Sequence, residues 1–339
     1  MPVSTRLGDP ADIAAVLAPF RREIRAHCYR MTGCVHDAED LTQETYLRAW
    51  RAFPGFEHRS SLRTWLYRIA TNVCLTHLGQ RSRRPLPTGL GTAPADPRRR
   101  PREGPGAWVE PMPDAWLWSA APVDPGEHAV GRDSVRIAFV AALHHLGARP
   151  RAVLLLRDVV GCTAREVAEV LDMSVAGVNS TLHRARVRLS AVDATALPAL
   201  PQRPADRRLL DAYLRAFERY DMAALVEVLA ADAVWEMPPF AGWYHGAAQI
   251  ATLIATWCPA RHPGDMLLRR TAANGLPVFA VYLRDTDGVH RAFQLQQLSI
   301  GAGGVHHVTA WFAPELFSAF GLPATVAVPS GQRSRTDGA

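Results

Sequence analysis

Asp40, Gln43 and Glu44 stand three and four residues apart within the stretch His36–Trp50. On a helix that spacing puts them on one face. Two carboxylates and an amide there make a row of hydrogen-bond acceptors, which suits an Arg-bearing protein partner. This is recognition chemistry, and it needs no nucleophile. A second set lies in Phe56–Asn72, where Arg59, Arg63 and Arg68 are interleaved with Phe56, Trp65 and Tyr67. Guanidinium groups neutralise phosphates and rings stack on unpaired bases, so this pattern suits nucleic acid. A third set is Asn179, Ser180, His183 and Arg184. Asn can pair bidentately with adenine, Arg with guanine or a phosphate, and Ser with either. Glu236, His245, His306 and His307 are candidates for acid–base work, and none has an evident partner in sequence.

These groups need rigid elements to hold them. Residues 11–78 are expected to be helical, with breaks near Gly33 and at Phe53–Phe56. Leu62, Leu66, Ile69 and Val73 form one apolar stripe, which predicts that Tyr67, Arg68, Thr71 and Asn72 face outward. Thr163 and Glu166 have the spacing of a capping box ahead of Ala164–Leu171. Asp172-Met173-Ser174 then makes a tight turn into Val175–Leu189, whose Val175, Val178, Leu182, Ala185 and Leu189 are expected to point inward. A short helix, a three-residue turn and a second helix make a helix-turn-helix.

Between these helical parts the chain is rich in Arg, Pro and Gly, as a linker is. Its middle, Trp108–Trp116, is too aromatic for a pure spacer. It fits a docking segment and a piece buried against a neighbouring domain equally well. Beyond Pro198, Pro201 and Pro204, one or two helices over 207–229 precede strands at 233–237, 278–284, 291–298 and 304–312. Helices followed by an antiparallel meander make an α+β domain. A polar, disordered tail is expected over 329–339.

At 339 residues, two to three domains are expected. All 38 basic side chains are Arg, against 32 acidic ones, a weak lean toward nucleic acid. Five scattered Cys without a CxxC fit reduced thiols better than a disulfide framework. The cluster His27-Cys28 and Cys34-Val35-His36 matches no standard zinc spacing, so no metal is expected. With neither a signal peptide nor a long apolar run, the expected location is cytoplasmic and off the membrane.

Taken in order, Asp37–Glu44, Thr64–Asn72 and the helix-turn-helix ending Asn179–Arg186 resemble the bacterial sigma factors of RNA polymerase, in the extracytoplasmic-function class that keeps only regions 2 and 4. The resemblance implies that Asp40, Gln43 and Glu44 dock on a coiled coil of the β′ subunit of core RNA polymerase, with the β flap as a second contact. It implies −10 promoter DNA contacts from Phe56, His58, Arg59, Ser60, Ser61, Arg63, Arg68 and Asn72. It implies −35 contacts from Asn179, Ser180, His183 and Arg184. Asn179 and Thr181 stand where many relatives carry Arg, so phosphate contacts there should be fewer.

Ala233–Pro239, Gly242–Gly246 and Trp311–Pro323 resemble a SnoaL-like domain of the NTF2-like fold. That fold is a curved sheet and helices around a conical pocket. Here Trp235, Met237, Trp243, Tyr244, His245 and Trp311 would line it, and could either fill a core or hold a small apolar ligand. The expected fold class is thus multidomain: two all-α sigma domains plus a C-terminal α+β NTF2-like cone. Expected bounds are 12–80 for region 2, 81–130 for the linker, 131–193 for region 4 and 206–325 for the SnoaL-like domain. The expected function is promoter-specific transcription initiation, with the C-terminal domain regulating in cis. No cofactor and no catalytic residue are expected. The alternatives are a free-standing helix-turn-helix regulator, or a SnoaL-type enzyme or ligand sensor fused to a DNA-binding module.

Overall fold

The computed structural model describes residues 10–79, 84–104, 106–118, 136–190 and 204–327, so the expected tail lies outside the described residues. The chain divides into two compact units. Among the described residues, no helix is long and apolar enough to cross a membrane.

The first unit holds residues 1–90, 105–197 and 273–275. Its helices are Pro10–Leu17 (α1), Arg21–Thr32 (α2), Val35–Ala52 (α3), Leu62–Leu78 (α4), Asp114–Leu117 (α5), Ile137–Leu143 (α6), Ala148–Leu154 (α7), Ala164–Leu171 (α8) and Val175–Ser190 (α9). Gly33 ends α2 with φ 68°, its N–H donating to the Tyr29 carbonyl at 2.7 Å. A Cβ at Gly33 would come within 2.8 Å of His144 Nε2, so the left-handed turn and the close approach both demand glycine. Ser61 Oγ accepts from the Thr64 N–H at 3.0 Å and starts α4. The expected capping box forms: Thr163 Oγ1 accepts from the Glu166 N–H at 3.2 Å, and Glu166 Oε2 from the Thr163 N–H at 2.7 Å.

Ile24, Cys28 and Met31 of α2, Val35 and Ala38 of α3, and Leu66, Ala70 and Cys74 of α4 are fully buried where these three helices meet. α4 also packs on α7 and α8. Being covered on several sides, it buries more than one stripe. Tyr67 and Thr71, expected to face outward, are buried: the Tyr67 hydroxyl donates to Glu23 Oε2 at 3.1 Å, and Thr71 Oγ1 lies 3.0 Å from His27 Nε2. Val175, expected inward, is 45 % exposed because the first residue of α9 projects past the turn. Val178, Leu182 and Ala185 are buried.

The aromatic segment after residue 105 belongs to this unit. Trp108, Val109 and Met112 are buried. The Glu110 N–H donates to the Gly33 carbonyl at 2.9 Å, and the Tyr29 hydroxyl donates to the Glu110 carbonyl at 2.7 Å. Glu110 Oε2 accepts from the Val35 N–H at 2.8 Å, and the Arg25 guanidinium lies 4.8 Å over the Trp116 ring. The short segment 273–275 is held here as well: Asn274, fully buried, accepts from the Met112 N–H at 2.8 Å and donates through Nδ2 to the Tyr29 hydroxyl at 2.9 Å.

Burial keeps His27 neutral and pushes its pKa down to about 3, with Arg30 adding to the shift. The unfolded imidazole takes up a proton below about pH 6.5 while the folded one resists it. Stability from this source is complete above pH 6.5 and is lost as the pH falls toward 3. For His27 the loss is about 1.4 kcal/mol per pH unit. Denaturant titrations at pH 7 and pH 5 should show the first unit weakening, and less so in His27→Gln. An unchanged slope in that variant would contradict the assignment.

The second unit holds residues 91–104, 198–272 and 276–339. The stretch expected to be one linker is therefore shared: 91–104 groups with the second unit, and 84–90 and 106–118 with the first. Helices Pro204–Glu218 (α10), Met222–Val228 (α11) and Ala247–Trp257 (α12) accompany one seven-stranded sheet. The strands are Leu229–Glu236 (β1), Trp243–His245 (β2), Met266–Ala273 (β3), Leu276–Arg284 (β4), His290–Gly301 (β5), Gly304–Trp311 (β6) and Thr325–Val326 (β7). Their order is β2-β1-β6-β5-β4-β3, with β7 on β5. β4, β5 and β6 form the expected antiparallel meander, but β1 pairs β6 in parallel. The sheet is mixed because α12 and the intervening strands supply the long crossover that parallel neighbours require. β3 and β4 turn at Asn274-Gly275, both with positive φ, as a two-residue hairpin needs. Tyr213 and Phe217 of α10 stack on Phe279 and Trp235, at 5.5 and 6.1 Å between ring centres.

Candidate functional site

On α3, Asp40 and Gln43 are exposed and Glu44 is half-buried, at the one-face spacing expected. Glu44 pairs with Arg48 at 2.7 Å, and Gln43 Nε2 donates to Glu39 Oε1 at 3.3 Å. Glu39 itself is taken up by Arg21 and Arg25, both at 2.6 Å. Sequence reasoning missed two members of this surface. Leu47 is 50 % exposed and Trp50 44 %, and Leu47 continues the 40, 43, 44 row by one turn. Leu47 and Trp50 thus place apolar surface in solvent on the helix that carries the carboxylates.

The second set divides. In the loop before α4, Phe56 packs 4.5 Å from His58 and 4.9 Å from Trp65, between ring centres, while Phe53 supports Trp65 at 6.2 Å. Trp65 is thus a half-buried member of an aromatic cluster. Arg59 pairs with Glu57, both on the surface, and Ser61 caps α4. Ser60 is half-buried. Arg68 and Asn72 are exposed one turn apart. Arg63 is engaged within the unit: it donates to Glu23 Oε2 at 2.8 Å and to the Val160 carbonyl at 3.0 Å. Thr64 Oγ1 likewise donates to Glu166 Oε1 at 3.2 Å. Helix α4 is therefore tied to the helix-turn-helix part of the same unit.

The third set is presented together. Asn179, Ser180, His183 and Arg184 are all exposed on α9, opposite buried Val178, Leu182 and Ala185. Arg186 of this helix donates to the Asp158 carboxylate from Nε at 2.9 Å and from Nη2 at 2.6 Å.

Cys34, His36 and Glu110 have donor atoms within 4.8 Å of one another, the one grouping among the described residues that could hold a metal ion. Two of its three residues are engaged within the protein. Cys34 Sγ accepts from the Asp37 N–H, and burial pushes its thiol up to about 12. Glu110 serves the Val35 N–H and lies 3.6 Å from Arg84, which already supplies a positive charge.

The second unit holds a cavity of about 260 Å³. Trp235 and Met237 line it, as expected. Trp243, Tyr244, His245 and Trp311 are not on its wall. Phe312, just past the end of β6, lines the cavity, whereas Trp311, the last residue of that strand, is buried away from it. Tyr244 lines a separate opening with Ala95 and Arg102, Trp243 donates through Nε1 to the Thr92 carbonyl at 2.8 Å, and His245 is exposed. Of the acid–base candidates, His307 Nε2 lies 2.6 Å from buried Glu236 Oε1, a pairing invisible in the sequence, and neither residue lines the cavity.

Residues 17–84 match the family model for Sigma-70 region 2, residues 136–189 that for Sigma-70, region 4, and residues 210–311 that for a SnoaL-like domain. The first two are the halves of a sigma-70-type factor. Over 327 residues the chain is 52% identical to the ECF RNA polymerase sigma factor SigG of Mycobacterium tuberculosis, covering 95% of this chain and 86% of that one. The probable ECF RNA polymerase sigma factor SigI of the same organism is 27% identical over 289 residues, 84% of this chain and 88% of its own. This chain belongs to the extracytoplasmic-function sigma factors of RNA polymerase, with a C-terminal SnoaL-like domain. The crystal structure of the Mycobacterium tuberculosis extracytoplasmic function sigma factor SigJ shares the fold, with a TM-score of 0.58 at 21% identity over 92% of this chain and 99% of that one.

Proposed function

We propose that this sigma factor acts in the cytoplasm, bringing core RNA polymerase to its promoters with the acidic face of α3 as the docking surface. The observation that carries this is the row Asp40, Gln43, Glu44 and Leu47, acceptors followed by an exposed apolar side chain on one helix. It fits an Arg-bearing helix such as the β′ coiled coil, with the β flap as a second contact. Arg68, Asn72 and the loop Phe56–Ser61 would take the −10 strand, and Asn179, Ser180, His183 and Arg184 the −35 duplex. Polymerase supplies the chemistry, and the second unit carries none of its own. Run-off transcription with core polymerase tests the reading. A promoter-specific transcript is expected; no transcript and no binding to core would overturn it.

The C-terminal domain regulates in cis. Support comes from the division of the chain: 91–104, between the two sigma halves, groups with the SnoaL-like unit, and 273–275, from the β3–β4 turn, groups with the sigma unit. Removing the chain after Arg203 also removes Asn274, the partner of Tyr29 and Met112. The truncated chain should change transcript yield by about five-fold or more on at least one promoter, the low end of typical coupling energies. Equal yields on every promoter would remove this regulatory role.

A further inference from the structure

Arg98, Arg99, Arg100 and Arg102 of the second unit are all exposed. Like charges so close in sequence repel one another. Among the described residues, the one carboxylate that meets them is Asp96, 3.8 Å from Arg99 and itself in solvent, a pairing that contributes little.

A spacer has no need to hold such a run in place, yet this one is fastened before and after it. Trp243 Nε1 donates to the Thr92 carbonyl at 2.8 Å, the Ala95 N–H to the Trp243 carbonyl at 2.7 Å, and Trp257 Nε1 to the Pro97 carbonyl at 3.0 Å. On the far side, the Ala241 N–H donates to the Arg102 carbonyl at 3.0 Å and the Gly104 N–H to the Pro239 carbonyl at 2.8 Å. Between these points Asp96 makes the turn: its Oδ1 accepts from the Arg98 N–H at 2.9 Å, and its carbonyl from the Arg99 N–H at 3.1 Å.

The fastening shapes a surface. Arg99, Arg100 and Arg102 line one open concavity of about 670 Å³ together with Ala241 and Gly242. Arg100 also lines the smaller cavity, and there it is joined by Trp257. Trp257 is the last residue of α12 and is 38 % exposed, although its indole N–H is held by Pro97. A ring fixed in place and open to solvent loses little freedom when a base stacks on it.

We propose that the C-terminal unit binds single-stranded DNA here, with Arg99, Arg100 and Arg102 on phosphates and Trp257 against a base. Planar guanidinium forks match phosphate oxygens, and a stacking ring needs an unpaired base. The chain belongs to the sigma factors, so the strand it meets is promoter DNA. The surface lies on the second unit, whereas α4 and α9 belong to the first, so it adds to the contacts proposed for those helices and does not depend on cis-regulation.

The test uses the full chain and a labelled oligo(dT) of about twelve nucleotides, read by fluorescence anisotropy across a salt series. Helices α4 and α9 are the same in every variant, so differences between variants read this surface. Arg99→Gln, Arg100→Gln and Arg102→Gln together should weaken binding about ten-fold or more. They should also lower the slope of log K against log salt by about 2, at about 0.7 for each of three phosphates. Trp257→Leu should weaken binding about five-fold or more with the slope unchanged, and Trp257→Phe, which keeps a ring, should recover most of that loss. An unchanged slope in the triple variant would overturn the phosphate contacts. Equal losses in the Leu and Phe variants, or none in either, would overturn the stacking and with it the single strand. Tighter binding of oligo(U) would overturn the choice of DNA. A triple variant that binds oligo(dT) like the parent but loses core polymerase would assign the arginines to an acidic protein surface instead.

Discussion

Asp40→Arg combined with Glu44→Arg will abolish binding to core RNA polymerase while leaving the fold intact. Asp40 is exposed and Glu44 half-buried, and within the chain the double change breaks the Glu44–Arg48 pair. Exposed pairs of this spacing contribute about 0.3–0.5 kcal/mol, so the melting behaviour should barely move. Against a basic partner, each reversal turns an attraction into a like-charge juxtaposition. Such juxtapositions cost several kcal/mol, which lowers affinity at least about a hundred-fold. Leu47→Asp, which removes the apolar side chain beside the carboxylates, should weaken binding in the same direction. Fluorescence anisotropy with labelled protein and core polymerase gives the measurement. Binding unchanged in a folded double variant would count against the docking face.

Arg151→Met will destabilise the first unit by about 3–5 kcal/mol, the range for breaking a buried charged network. The Arg151 guanidinium is 4 % exposed. Its Nε donates to the Leu143 carbonyl at 3.1 Å, its Nη2 to the Leu146 carbonyl at 3.1 Å, and its Nη1 to the Met31 carbonyl and toward His144 Nε2. One side chain thus ties the α6–α7 turn to the end of α2. Met fills the space but leaves those carbonyls without this donor. Lys keeps the charge but loses the planar fork that reaches several acceptors at once, so Arg151→Lys should recover only part of the loss. Hydrogen exchange of α2 and α7 amides reads the effect locally. Protection equal to that of the parent would refute it.

The helices were legible because their signals are local. The Thr163–Glu166 box and the Val178, Leu182, Ala185 spacing need no knowledge of the rest of the chain. Tyr67 and Thr71 were misplaced because one apolar stripe does not reveal a second set of neighbours, and polar groups can be buried when a partner such as Glu23 or His27 meets them. Burial of Arg151 was illegible for the same reason. In the sheet, runs of strand-forming residues, two of them separated by the turn Asp285–Gly288, announced β4, β5 and β6. The parallel pairing of β1 with β6 joins residues far apart in sequence and leaves no local mark. Of the residues proposed to touch other molecules, those on α3 and α9 share faces as helical spacing requires, whereas the cavity wall depends on which side of each strand faces in.

That parallel pairing also sets a timetable for synthesis. The helix-turn-helix is complete at Ser190, while β6, the sheet neighbour of β1, ends at Trp311. Non-local pairing cannot form before its second strand exists. The 121 residues between (311 − 190) take roughly 6–24 s at ribosomal speed. For that interval each nascent chain has its helical half in hand without a closed sheet, and until residue 274 emerges Tyr29 lacks its Asn274 partner. The population of such half-made chains follows the rate of translation rather than the stock of finished protein.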